Sequence, residues 1–151
     1  MSGTLTMTLV GQLLKWEVER PDDVYLVQPL PNGDVDSFTW KAVARQVKKI
    51  ASYLQSCDFP ANSQIAILGK NSAHWIMADL AIMLAGHVSV PLYPTLDSES
   101  ANYILDHSES HLLFVGKLDV DDAAWSAYQQ ELPVDLPRVM LPLSPIDEVA
   151  E

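Results

Sequence analysis

Between Ser63 and Pro94 a short apolar segment, an almost wholly apolar helix and a second apolar segment follow one another without interruption. From Ala73 to Ala85 only His74 and Asp79 are polar, so a helix there has no broad face to offer water and must be covered on nearly all sides. Ser72 or Asn71 can accept from the first free backbone N–H groups, and Gly86 can take the left-handed conformation that ends the helix. The flanking stretches Gln64–Leu68 and His87–Leu92 are the short, mostly apolar runs of strands covered on both faces. A β-α-β unit with a parallel strand pair follows, and with it an α/β fold: a layered, mostly parallel sheet with flanking helices.

The rest of the chain extends this pattern. Trp40, Val43, Ala44, Val47, Ile50, Ala51 and Leu54 recur at helical spacing, with Lys41, Arg45, Lys48 and Lys49 opposite, which predicts an amphipathic surface helix capped by Thr39. Before it, Tyr25–Gln28 and Val35–Phe38 predict an N-terminal β-hairpin around a Pro31-Asn32-Gly33 turn. After the central unit, Pro94–Asp97 is a loop, Ser98–His107 a short helix and His111–Val115 a third interior strand. A helix from about Asp121 to Leu132 then gives way to a stretch holding Pro133, Pro137, Pro142 and Pro145, expected to be extended and irregular. Residues 1–132 are thus read as one α/β unit and residues 133–151 as a proline-rich segment leading onward.

Composition excludes several functions. The net charge of −11 is uneven, with six basic and seven acidic side chains in residues 1–60 but three and thirteen in residues 61–151. Such a surface repels phosphate backbones and anionic lipid, so nucleic acid is not an expected partner. The lone Cys57 has no internal disulfide partner and carries no nucleophile motif. With no basic leader and Ser2 at position 2, neither secretion nor myristoylation is indicated, and the cytoplasm is the expected compartment. The most apolar run, Trp75–Leu92, contains Asp79, His87 and Pro91 and is too short to span a bilayer.

Candidate chemistry is sparse. The six glycines, Gly3, Gly11, Gly33, Gly69, Gly86 and Gly116, lie far apart, so no clustered phosphate loop exists. Gly69-Lys70-Asn71-Ser72 follows a strand and opens a helix, which leaves an anion at that helix N-terminus conceivable though the signature spacing is missing. His107, Glu109 and His111 invite a metal reading but straddle a helix end and a strand start, where they need not face one another. Asp119, Asp121 and Asp122 fail as a calcium loop, because Ala124 and Gln130 stand where glycine and glutamate are needed. Trp16, Trp40, Trp75 and Trp125 are read as packing residues, since no basic groove surrounds them for base stacking.

Five blocks carry a resemblance: Phe38-Thr39-Trp40; Ile65-Ala66-Ile67; Asn71-Ser72-Ala73-His74-Trp75; Leu84 to Thr95; and Ile104-Leu105-Asp106-His107-Ser108-Glu109. Their order and spacing over about residues 20–116 resemble the N-terminal subdomain of AMP-forming acyl-CoA synthetases, of the adenylate-forming superfamily. The run Pro91-Leu92-Tyr93-Pro94-Thr95-Leu96 is most similar to long-chain fatty acid CoA ligases. The segments Phe38–Val43 and Leu84–Leu92 correspond to that family's first two core motifs. The resemblance implies acyl-adenylate formation from a fatty acid and ATP, with magnesium, and then thioester formation with coenzyme A. It also implies a complete protein several times longer, whose phosphate loop, ribose-binding aspartate and mobile-domain lysine have no counterpart here.

No catalytic, cofactor-binding or metal residue is therefore assigned to this chain. It is expected to be the N-terminal portion of a fatty acid CoA ligase, inactive alone, with the remainder of that enzyme as its partner. The parent's fatty substrate would be compatible with peripheral membrane contact, and surface bared by truncation with self-association. A stand-alone, non-catalytic binding module of the same fold and a small nucleotide sensor are the alternatives.

Overall fold

The computed structural model describes residues 8–145. Thr8 caps the first helix, α1 (Leu9–Glu19), its hydroxyl accepting from the Gly11 N–H. The hairpin follows as β1 (Val24–Pro29) and β2 (Val35–Thr39), antiparallel and irregular in register between Val24 and Leu26. Its turn falls where the sequence places it: Gly33 has φ +89°, and the Leu30 N–H donates to the Asp34 carbonyl at 2.8 Å. Thr39 closes β2 and caps α2 (Trp40–Ser56), accepting from the Ala42 N–H at 3.1 Å.

The central unit is β3 (Gln64–Leu68), α3 (Ala73–Leu84) and β4 (Val88–Leu92). The chain continues through α4 (Ser98–His107), β5 (Leu112–Val115), α5 (Asp122–Gln130) and β6 (Arg138–Met140). Four strands form one sheet in the order β4-β3-β5-β6, each neighbouring pair parallel, while β1 and β2 form a separate two-stranded sheet.

Alternation along β3 and β5 divides the core between the two faces of this sheet. Ile65, Ile67, Leu112 and Phe114 cluster with Ala78 and Ile82 of α3 and Leu54 of α2. Ala66, Leu68, Leu113 and Val115 cluster with Ala101 and Leu105 of α4 and with Trp125 of α5. All four residues of β5 are buried, as a strand covered on both faces requires. On its outer side α3 meets Val43, Ala44 and Val47 of α2 and Leu13 of α1 through Met77, Leu80 and Ala81. No residue of α3 is fully exposed, which is what its nearly unbroken apolar sequence demands.

Two parts differ from the sequence expectation. Residues 138–140 are not irregular: β6 extends the sheet through Leu113↔Arg138, Phe114↔Val139 and Val115↔Met140. Pro137 and Pro142 flank this strand rather than interrupt it, and the Pro137 carbonyl accepts from Leu113 N–H at 2.9 Å. The amino-terminal helix α1, which no sequence pattern announced, rests on α2, where both Glu17 carboxylate oxygens lie 2.8 Å from Lys48 Nζ. Among the described residues no helix is long and apolar enough to cross a membrane.

Candidate functional site

In open parallel sheets, ligands settle beyond the carboxyl ends of the strands where the chain's direction of travel reverses. Here that point lies between β3, whose crossover leads to β4, and β5, whose crossover leads the other way to β6. The chain itself fills it. Gly69 and Gly116 meet so closely that a Cβ on Gly69 would stand 3.0 Å from Gly116 Cα. Lys70 N–H donates to the Lys117 carbonyl at 2.8 Å, and the Lys70 ammonium pairs with the Asp119 carboxylate. The hydrogen bond and charge of Lys70 hold the Asp119 carboxyl below the ordinary carboxylate value.

The open cleft is displaced to the β3–β4 side. It measures about 600 Å³ and is bounded by Gly69, Lys70 and Asn71 at the end of β3, by Trp75 of α3, and by Pro91 to Pro94 at the end of β4. Tyr93, 78% exposed, stands at its rim. The lining is mainly apolar, and its one cation, Lys70, is already paired with Asp119.

The α3 N-terminus beside this cleft tests the anion reading of Gly69-Lys70-Asn71-Ser72. Ser72 Oγ accepts from Trp75 N–H at 3.1 Å and the Ser72 carbonyl accepts from Ile76 N–H. The Ala73 N–H donates to Gln28 Oε1 at 2.8 Å, a buried side chain supplied by β1. Two of the first-turn N–H groups that would meet a phosphate, those of Ala73 and Trp75, are thus engaged within the protein, and no glycine cluster lets backbone approach one. The described residues do not fit a triphosphate cradle. Next to this cap His74 meets Phe38 edge-on at 5.5 Å; burial lowers its pKa below the ordinary 6.5, with Asp36 acting in the opposite direction.

The other sequence candidates are scattered. His107, at the end of α4, stacks on Tyr103 with ring centres 5.6 Å apart, whereas His111, below β5, lies 5.3 Å from Phe59. Glu109 between them occupies a left-handed turn at φ 54°. No group of three His, Cys, Asp or Glu side chains able to hold a metal ion occurs among the described residues. Asp121 caps α5 and Asp119 is committed to Lys70. Cys57 ends α2 as a free, half-buried thiol. Trp125 is 1% exposed, and Trp40 stacks on Tyr25 at 3.8 Å, so both are packing residues. Sequence reasoning missed Gln28, which acts on a helix 45 residues away in the chain.

A parallel sheet covered on both faces, with its cleft at the strand carboxyl ends and a hairpin braced on α3, is an open α/β architecture. Residues 14–147 match the family described as AMP-binding enzyme, and the chain belongs to that family as an N-terminal portion. Among curated relatives, it is 32% identical over 100 residues to the long-chain-fatty-acid–CoA ligase FadD15 of Mycobacterium bovis, covering 66% of this chain and 17% of that protein. It is 36% identical over 77 residues to long chain acyl-CoA synthetase 1 of Arabidopsis thaliana, covering 51% of this chain and 12% of that one. The chain therefore spans about a sixth or less of the length of these relatives. The fold is similar to the fatty acyl-adenylate ligase from L. pneumophila solved with acyl adenylate and pyrophosphate, with TM-score 0.73 at 18% identity over 91% of this chain and 24% of that one. The N-terminal subdomain of Klebsiella oxytoca NpsA is similar at TM-score 0.66 and 19% identity, over 87% and 30% of the respective chains.

Proposed function

We propose that this chain is the N-terminal structural portion of an ATP-dependent fatty acid CoA ligase. The observation that carries this reading is the family match over residues 14–147 joined to relatives named as long-chain fatty acid ligases. In the complete enzyme a fatty carboxylate attacks the α-phosphorus of ATP and releases pyrophosphate. The thiol of coenzyme A then attacks the acyl carbonyl, and AMP leaves. Magnesium would offset phosphate charge in the first step.

The role of these 151 residues is to supply scaffold and one wall. The engaged α3 N-terminus and the closed β3–β5 crevice support a chain that holds no nucleotide by itself, which disfavours the nucleotide-sensor reading. The cleft between Trp75 and Tyr93 supports contact with apolar substrate or with the downstream part of the enzyme. The parent would work in the cytoplasm, with any membrane contact peripheral.

The test is twofold. The coding frame past the codon for Glu151 is expected to run on through a Ser/Thr/Gly-rich loop ending in lysine. The product of that longer frame should release pyrophosphate in the presence of fatty acid, ATP, magnesium and coenzyme A, while the 151-residue chain should not. A stop codon at that point would redirect the reading to a stand-alone binding module. Turnover by the short chain at a full ligase's rate would overturn the assignment of the chemistry to downstream residues.

A further inference from the structure

Positive charge gathers in one place on this acidic molecule. Lys41, Arg45, Lys48 and Lys49, four of the nine basic residues, project from one side of α2 and line an open groove of about 520 Å³ against Glu17 of α1. Glu17 is bound at 2.8 Å to Lys48 and is the only acidic residue lining the groove. Lys41, Arg45 and Lys49 are exposed and have no carboxylate within ion-pair distance among the described residues. The opposite side of α2 is buried through Val43, Val47 and Leu54, so folding itself does not require these cations.

We propose that this groove is a docking site for an extended acidic polypeptide segment. Residues 41, 45 and 49 recur every fourth position, about 6 Å apart along the helix axis at a rise of about 1.5 Å per residue. Carboxylates at alternate positions of an extended chain recur at about 6.8 Å, close enough for three of them to follow the row of three free cations. The Glu17–Lys48 contact has this geometry, a carboxylate seated in the groove with both oxygens on one ammonium.

The lining selects among polyanions. The cations form a single row along one helix with Glu17 beside it, not the broad basic patch of a lipid-facing surface. A single-stranded nucleic acid binds through aromatic stacking platforms, and no aromatic side chain lines this groove. The excess of acidic residues elsewhere on the chain opposes non-specific binding of any polyanion, so binding here depends on the local row.

Fluorescence anisotropy of the full 151-residue chain with a labelled alternating Glu-Ser peptide of about eight residues tests the proposal, against a Gln-Ser peptide of equal length. The acidic peptide should bind at least about tenfold more tightly, and raising ionic strength from about 0.02 to about 0.15 M should weaken it severalfold. Joint substitution Lys41→Gln, Arg45→Gln and Lys49→Gln should lower affinity at least about tenfold, while Lys117→Gln, outside the groove, should change it less than about twofold. Circular dichroism checks that each variant is folded. If the triple variant is not, Arg45→Gln alone should still weaken binding about threefold. Equal binding of both peptides, equal effects of the groove and Lys117 variants, or tighter binding to phosphatidylserine vesicles or oligothymidine would each overturn the proposal.

Discussion

At the residue scale, the carboxyl ends of β3 and β5 meet in a close backbone contact, and glycine is the residue that permits it. The two glycines of this contact are not equivalent. A Cβ on Gly69 meets Gly116 Cα at 3.0 Å and two further Gly116 backbone atoms at 3.2 Å, none of which belongs to a flexible side chain. A Cβ on Gly116 meets nothing nearer than the Leu68 carbonyl oxygen at 3.7 Å, an ordinary van der Waals contact. Gly69→Ala must therefore part the two loops, at a cost of about 1–3 kcal/mol typical of forced overpacking. Gly116→Ala should change stability by less than about 1 kcal/mol. Urea denaturation of both variants reads the difference, and equal midpoints would mean that the loops are not in contact. In the sequence the glycines are only scattered, and the pairing of these two across 47 positions could not be read from spacing along the chain.

At the element scale, α3 shows what local sequence determines and what it leaves open. Its Ser72 cap, its terminal Gly86 at φ +82° and its complete coverage follow from residues 72–86 alone. The flanking strands β3 and β4, the capped helix α2 and the hairpin turn were equally legible, because each carries its own periodicity and its own cap or turn residue. Helix α1 carries Thr8 as a cap but has Gly11 inside it and few turns, so it depends on burying Leu13 against α2 and α3. Strand β6 has three residues and no pattern, and its conformation is imposed by the edge of β5. The second cap of α3 is likewise non-local: Gln28 reaches from the hairpin to the Ala73 N–H. Gln28→Leu leaves that buried donor unpaired and should cost about 1–3 kcal/mol. Ser72→Ala removes the local cap and should cost about 1 kcal/mol. The two hydrogen bonds serve the same first turn of one helix, so the double variant should lose less than the sum. Strict additivity in chemical denaturation would show that Gln28 acts on the hairpin alone.

At the scale of the whole molecule, the division at residue 132 is the point on which the fold and the sequence reading bear differently. Read by composition, residues 133–151 are a tail; in the sheet, residues 138–140 of that tail form the edge strand beside β5. Leu136 and Leu141 are buried at 8% and 6% exposure, the first against the α4–α5 side and the second against Phe114 and Ile67 on the other. The tail thus contributes to both faces. A chain ending at residue 132 would leave β5, Leu-Leu-Phe-Val and buried throughout, as an unprotected apolar edge of the kind that recruits other chains. It should elute as oligomer or aggregate in size-exclusion chromatography and lose its cooperative thermal transition. A chain ending at residue 145 retains β6 and both leucines and should melt close to the full length. If the 132-residue form is instead monomeric and melts with the parent, β6 is an accessory strand and residues 1–132 are a folding unit by themselves. The cationic groove is lined by residues of α1 and α2 and by none of β6, so in the 145-residue form it should bind the acidic peptide as the full chain does.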